Sequence, residues 1–171
     1  MAKNACPGCG VLLEDVDGPT HDYMLSTPAC WKLFGKLLAA EYESAVLMEV
    51  HRLTVDTYAV QHPGDGSRRA IQSVGLHLAR LSVQLETPRS PKETNDTMTR
   101  FAGRKKSFIE LDPPKHFSMT IADVAPFAGS DTHAQKVQEW ARSAWNDWRE
   151  HHDYILDWAG GSNFFRDRPQ R

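Results

Sequence analysis

Cysteine is scarce in this chain, with three in 171 residues. So few, and an odd number, exclude a framework of paired disulfides and fit a reducing compartment, so a cytoplasmic protein is expected. Neither charge is in excess: 20 Lys and Arg against 22 Asp and Glu leave a net charge of −2. Nothing electrostatic therefore draws the chain to nucleic acid or to an anionic membrane. No apolar run approaches the roughly 20 residues that span a bilayer. Residues Met1 to Gly10 have neither the basic start nor the apolar stretch of a leader segment. Repeats, low-complexity tracts and a paired nucleophile and base are also missing. With 40% hydrophobic and 25% charged residues, a globular protein with its own core remains, expected as a single domain over 1–171. The expected partner is an unidentified small molecule or protein.

What the chain does have is a pair of cysteines two residues apart, in Cys6-Pro7-Gly8-Cys9-Gly10. Two thiolates at that spacing grip one tetrahedral ion, and Gly10 lets the backbone curl back toward the second sulfur. The run has the local form of a zinc knuckle. Cys30 offers a third thiolate. It falls in the first turn of a helix opened by Ser26-Thr27-Pro28, where the helix dipole favours a negative sulfur. A closed structural site needs four ligands. His21 is the nearest histidine to Cys30, so the expected set is Cys6, Cys9, Cys30 and His21. Zinc is the expected metal, because a rubredoxin-like iron site uses four thiolates and only three exist. The competing reading is a Cys6–Cys9 disulfide, or free thiols on a loose tail. A four-ligand site stabilises the fold and leaves no open position for substrate.

Helical spacing dominates elsewhere, and the expected fold is a mainly α helical bundle. Residues 1–30 form its irregular zinc-knuckle segment, and 31–88 a helical hairpin. The first arm carries Leu33, Phe34, Leu37, Leu38 and Tyr42, then Val46, Leu47, Val50, Leu53 and Tyr58. It is one bent helix or two, broken near Glu43-Ser44. Pro63-Gly64-Asp65-Gly66 ends it, and Ile71, Val74, Leu78, Leu81 and Leu85 return, closing at Pro88. Prolines punctuate 89–129, an irregular region with short strands expected at 108–111 and 117–119 and a capped turn at Thr120–Asp123. Its basic stretch, Arg100 to Lys106, is expected to be a solvated loop. Residues 130–160 make one C-terminal helix, capped by Ser130 or Asp131 and stopped by Gly160-Gly161. Its Trp140, Trp145, Trp148 and Trp158 are expected in the core.

The histidines offer a second possible site or pocket around His51, Asp56, Gln61, His62, His77 and His152. His51 and His62 share a helix face but stand ~16 Å apart along the axis, too far for one ion. If His62 and Arg68 flank the turn, His77 lies opposite Leu53, within reach of His51. His151 or His152 from the last helix could complete a three-histidine site with room for water, and hence a metal-dependent hydrolase or transferase. The alternative for each histidine is a core residue hydrogen-bonded to Asp, Gln or a carbonyl. Asp56 and Gln61 would then lock helix register. The expectation for the whole chain is a binding or regulatory module with structural zinc, with the metal enzyme as its rival.

Taken together, these residues resemble a family of bacterial proteins of unknown function. Its members share Cys-Pro-Gly-Cys-Gly, a Ser-x-x-Cys-Trp helix start, a Val-Asp-x-Tyr-x-x-Gln-His-Pro-Gly run and Trp-Ala-x-x-x-Trp-x-x-Trp-x-x-His-His. Here these are Cys6 to Gly10, Thr27 to Trp31 with Thr27 in the serine place, Val55 to Gly64, and Trp140 to His152. The resemblance covers nearly the whole chain and implies no particular activity. A weaker resemblance is to the DinB/YfiT-like bundles, which carry a histidine triad for a divalent metal and often act in thiol-dependent transfer. This chain departs from them in having no His-x-x-x-His pair on its C-terminal helix.

Overall fold

A computed structural model describes residues 3–86 and 90–160. It is mainly α, with seven α-helices among the described residues and a small N-terminal hairpin. Strand β1 (Lys3–Ala5) pairs antiparallel with β2 (Leu12–Glu14), with Asn4 opposite Leu13. The six residues between them hold both knuckle cysteines. Helix α1 (Pro28–Tyr42) begins as expected, because the Thr27 side chain accepts a hydrogen bond from the Cys30 backbone N–H. A short 3-10 turn at Leu47–Glu49 separates it from α2 (His51–Val60), so the first arm is two helices. The return helix is α3 (Arg68–Glu86); the expected stop at Pro88 lies outside the described residues.

The region between α3 and the C-terminal helices departs from expectation. Residues Pro91–Arg104 form a full helix, α4, capped reciprocally by Ser90 and Glu93. The expected strands at 108–111 and 117–119 do not form. Side chains satisfy their backbone groups instead: Arg68 donates to the Phe108 carbonyl (3.0 Å), Tyr154 accepts from Ile109 N–H (2.9 Å), and Asp147 accepts from Ser118 N–H (2.9 Å). Phe108 rests directly on Gly75 of α3, where a Cβ would lie 2.2 Å from the ring. The Thr120–Asp123 turn is present, as the capping box of α5 (Ile121–Val124).

The C-terminal helix is broken rather than continuous. Helix α6 (His133–Asp147) leads through a 3-10 turn at Arg149–His151 into α7 (His152–Gly160). His152 Nε2 donates back to the Trp145 carbonyl (2.8 Å) and its ring stacks on Trp145, closing the end of α6. Neither Ser130 nor Asp131 caps α6, which starts after Thr132; Gly129 N–H donates to His133 Nδ1 (3.0 Å). Helix α2 packs between α3 and α6, with α1 alongside. Tyr58, Leu78, Leu81, Trp140, Trp148 and Ile155 are fully enclosed at the centre. No helix among the described residues is long and apolar enough to cross a membrane.

Candidate metal centre

Three separate parts of the chain deliver the cysteines and their partner. The β1–β2 turn is tight: Cys6 N–H donates to the Val11 carbonyl and Gly10 N–H to the Cys6 carbonyl, each at 2.9 Å. Gly10 takes φ +79°, a left-handed value that glycine adopts freely. Both sulfurs then face inward, toward Cys30 in the first turn of α1. The fourth member is His62, two residues past the end of α2, rather than His21. Cys6, Cys9, Cys30 and His62 are all buried, and their ligating atoms lie within 4.8 Å of one another.

The individual edges are informative. Cys9 Sγ to Cys30 Sγ is 3.8 Å, Cys6 Sγ to His62 Nε2 is 3.5 Å and Cys30 Sγ to His62 Nε2 is 3.4 Å. Zinc bonds of about 2.3 Å to sulfur and about 2.0–2.1 Å to nitrogen, at tetrahedral angles, give edges of about 3.8 Å and about 3.6 Å. The three edges fall close to those values, and the remaining ones lie within 4.8 Å, so the group could hold one such ion. His62 Nδ1 donates to the Tyr58 carbonyl (2.6 Å), which leaves the Nε2 lone pair aimed at the sulfurs.

The charge balance points the same way. Hydrogen bonds from Cys30 and Cys9 hold the Cys6 thiol far below its ordinary range. Cys30 is pushed strongly upward by its hydrogen bonds to Cys6 and Cys9, and then by burial. At Cys9 the hydrogen bond from Cys30 favours the thiolate, but the bond to Cys6, burial and the Cys6 charge outweigh it and push the thiol up to about 12. Three buried sulfurs so close together compete for protons, and a central divalent cation would relieve that crowding.

The neighbouring residues are shaped around this group. A Cβ on Gly8 would lie 2.4 Å from His62 Cδ2 and 2.6 Å from the Leu25 carbonyl oxygen, so only glycine lets the knuckle lie flat on the end of α2. Gly64, at φ +85°, passes close to the Tyr23 carbonyl. The central and C-terminal motif runs of the sequence meet here. Val60, Gln61 and His62 are consecutive. The Val60 carbonyl accepts from Trp148 Nε1 (3.1 Å), Gln61 Oε1 accepts from Trp140 Nε1 (3.0 Å), and Gln61 Nε2 donates to the Met119 carbonyl (2.7 Å).

The other expected residues lie elsewhere. His21 packs against Tyr23 and Trp31, and its Nδ1 accepts from Tyr23 N–H (3.4 Å). The three-histidine constellation is not assembled. His51 Nδ1 donates to Glu41 (2.7 Å), His77 Nδ1 donates to Asp56 (2.6 Å), and His152 serves the end of α6. The hairpin register differs from expectation: His77 meets Asp56, three residues on from Leu53, across the seven-residue connection 61–67. Asp56 also holds Arg80 (3.0 Å) and Gln84 (2.7 Å), which makes it a buried lock between α2 and α3.

A second buried carboxylate, Glu41, carried no signal in the sequence. It accepts from His51, from His133 Nε2 (3.2 Å) and from the Thr54 hydroxyl, tying α1 to α2 and α6. His62, expected in the second site or pocket, instead joins the cysteines; it stands four residues after Tyr58, at a helix end fixed by Pro63-Gly64.

No curated protein and no solved structure matches this chain. A protein-family match spans residues 4–149 and takes in the knuckle, Cys30, His62 and the tryptophans of α6. The chain belongs to the Family of unknown function (DUF5946).

Proposed function

We propose that this protein is a binding or regulatory module whose N-terminal segment is pinned by a structural zinc ion on Cys6, Cys9, Cys30 and His62. The observation that carries the reading is the set of 3.4–3.8 Å edges, which suit one tetrahedral ion with three sulfurs and one nitrogen. Four protein ligands close the coordination shell, so the ion's contribution is to folding. It would fasten the β1–β2 turn and the start of α1 to the end of α2, in a chain whose strands are only three residues long. Reduced thiols in the ligand set suit a reducing compartment such as the cytoplasm. The rival reading, a histidine-bound catalytic metal, has little to rest on, since His51, His77 and His152 each have other partners.

Elemental analysis of protein purified without added metal tests this directly. One zinc per chain is expected, lost in Cys9→Ser. A metal-free wild type would refute the reading, and a second equivalent that survives Cys9→Ser would restore the enzyme hypothesis.

A further inference from the structure

Tyr58 stands behind the cluster and engages two of its members in three different ways. Its hydroxyl donates to Cys30 Sγ (3.6 Å) and its carbonyl accepts from His62 Nδ1 (2.6 Å). Its ring stacks on the His62 imidazole at 3.9 Å and 23°, and on Phe34 at 4.1 Å and 15°. The side chain is completely buried.

We infer that Tyr58 is the positioning residue of this centre, with its hydroxyl tuning the Cys30–metal bond while its carbonyl and ring fix the aim of His62. The inference rests on the metal reading above and deepens it. A hydrogen bond to a ligating sulfur draws electron density from the lone pairs that bind the ion and stabilises the thiolate in a site without water. A carbonyl on the far nitrogen of a ligating histidine sets its tautomer and ring angle. Here one residue supplies both outer contacts, because positions 58 and 62 lie one helical turn apart at the end of α2 while Cys30 approaches from α1. A packing role alone would need only the ring.

Tyr58→Phe separates the two roles, since it keeps the ring, both stacking partners and the carbonyl. The probe is cobalt(II), whose sulfur-to-metal charge-transfer band reports the donor strength of the thiolates. With Tyr58→Phe the band should move to lower energy, and the affinity for cobalt and zinc in a chelator competition should fall about 10–100-fold. Growth on 3-fluorotyrosine gives the opposite perturbation in an otherwise unchanged chain: a more acidic phenol donates more strongly and should move the band to higher energy. The other tyrosines do not confuse the result, because Tyr23 packs on Arg69, Tyr42 faces His51 and Tyr154 bonds Ile109. Shifts of opposite sign support the inference; where Tyr58→Phe proves too unstable to read, a fluorotyrosine shift to higher energy supports it and an unmoved band overturns it. A wild type that binds cobalt, with band and affinity unmoved by either change, overturns it. A wild type that binds no cobalt overturns the metal reading itself.

Discussion

Two buried polar clusters sit in this molecule, and they are built on opposite rules. In the Glu41 cluster every contact pairs a donor with an acceptor. His133 Nδ1 accepts from Gly129 N–H, so its Nε2 carries the proton it gives to Glu41, while Thr54 and His51 donate to the same carboxylate. The carboxylate lies between the two rings, and nothing is left to bind an ion. In the cysteine cluster three sulfurs and the His62 Nε2 converge within 4.8 Å of one another. His62 has spent its one N–H on Tyr58 and presents a lone pair, as the sulfurs do. Complementary groups make a lock between helices; like groups facing one point make a ligand set.

This contrast gives predictions of descending size. The largest effect should come from removing the ion or its nitrogen ligand. Zinc-finger peptides gain roughly 10–16 kcal/mol from their metal, more than any single polar substitution costs. His62→Gln should lose the metal and expose residues 3–27 to protease, whereas His21→Gln should retain it. Elemental analysis with limited proteolysis of both variants decides which histidine belongs to the site.

Next comes Glu41→Ala. It strands the His133 N–H in the interior and leaves the Thr54 hydroxyl only its longer bond to the Val50 carbonyl (3.4 Å), at a cost of about 1–3 kcal/mol per unsatisfied group. Metal content should not change. Denaturant unfolding beside metal analysis would show whether the two clusters are as separate as their geometry implies, and loss of metal in this variant would count against that.

The smallest effect concerns His21. Burial holds its imidazole below the usual 6.5, so the folded chain resists a proton that the unfolded chain accepts. The group's contribution is intact above 6.5 and is lost as pH falls from there toward the lowered folded value; below that the loss is constant. Between about pH 7.5 and about pH 5.5 the melting temperature of the wild type should therefore fall slightly more than that of His21→Gln. Equal slopes would show that the ring is more exposed in solution.

How much of this was legible in the sequence depends on the range of each interaction. The knuckle is local, and Cys30 is announced by the cap at Thr27-Pro28, so three of the four clustered residues could be read directly. His62 is separated from Cys30 by 32 residues and from Cys6 by 56. Sequence proximity favoured His21, and only the packing of α1 on α2 decides otherwise. The same limit explains the hairpin register: counting from a turn flanked by His62 and Arg68 placed His77 opposite Leu53, whereas packing sets it against Asp56. Helix α4 was hidden by composition, since Pro91–Arg104 is mostly polar and shows no broad apolar stripe. Ser90 and Glu93 nevertheless spelled its capping box. The break after α6 had no such signal, because tryptophans on both sides of it continue the helical spacing.

The end of α2 has a further consequence for which changes of length the chain can accept. Three successive residues there are handed to three different neighbours: Val60 to Trp148, Gln61 to Trp140 and Met119, and His62 to the cysteines. One residue added or removed within 58–62 rotates every later position of the helix by about 100°. That would misdirect the histidine and uncouple the tryptophans of α6 in one step. The loop at 43–46 is largely exposed, lies outside this register and can absorb changes in length. Insertions between Tyr58 and His62 should therefore be rejected as a class, whatever residue is inserted.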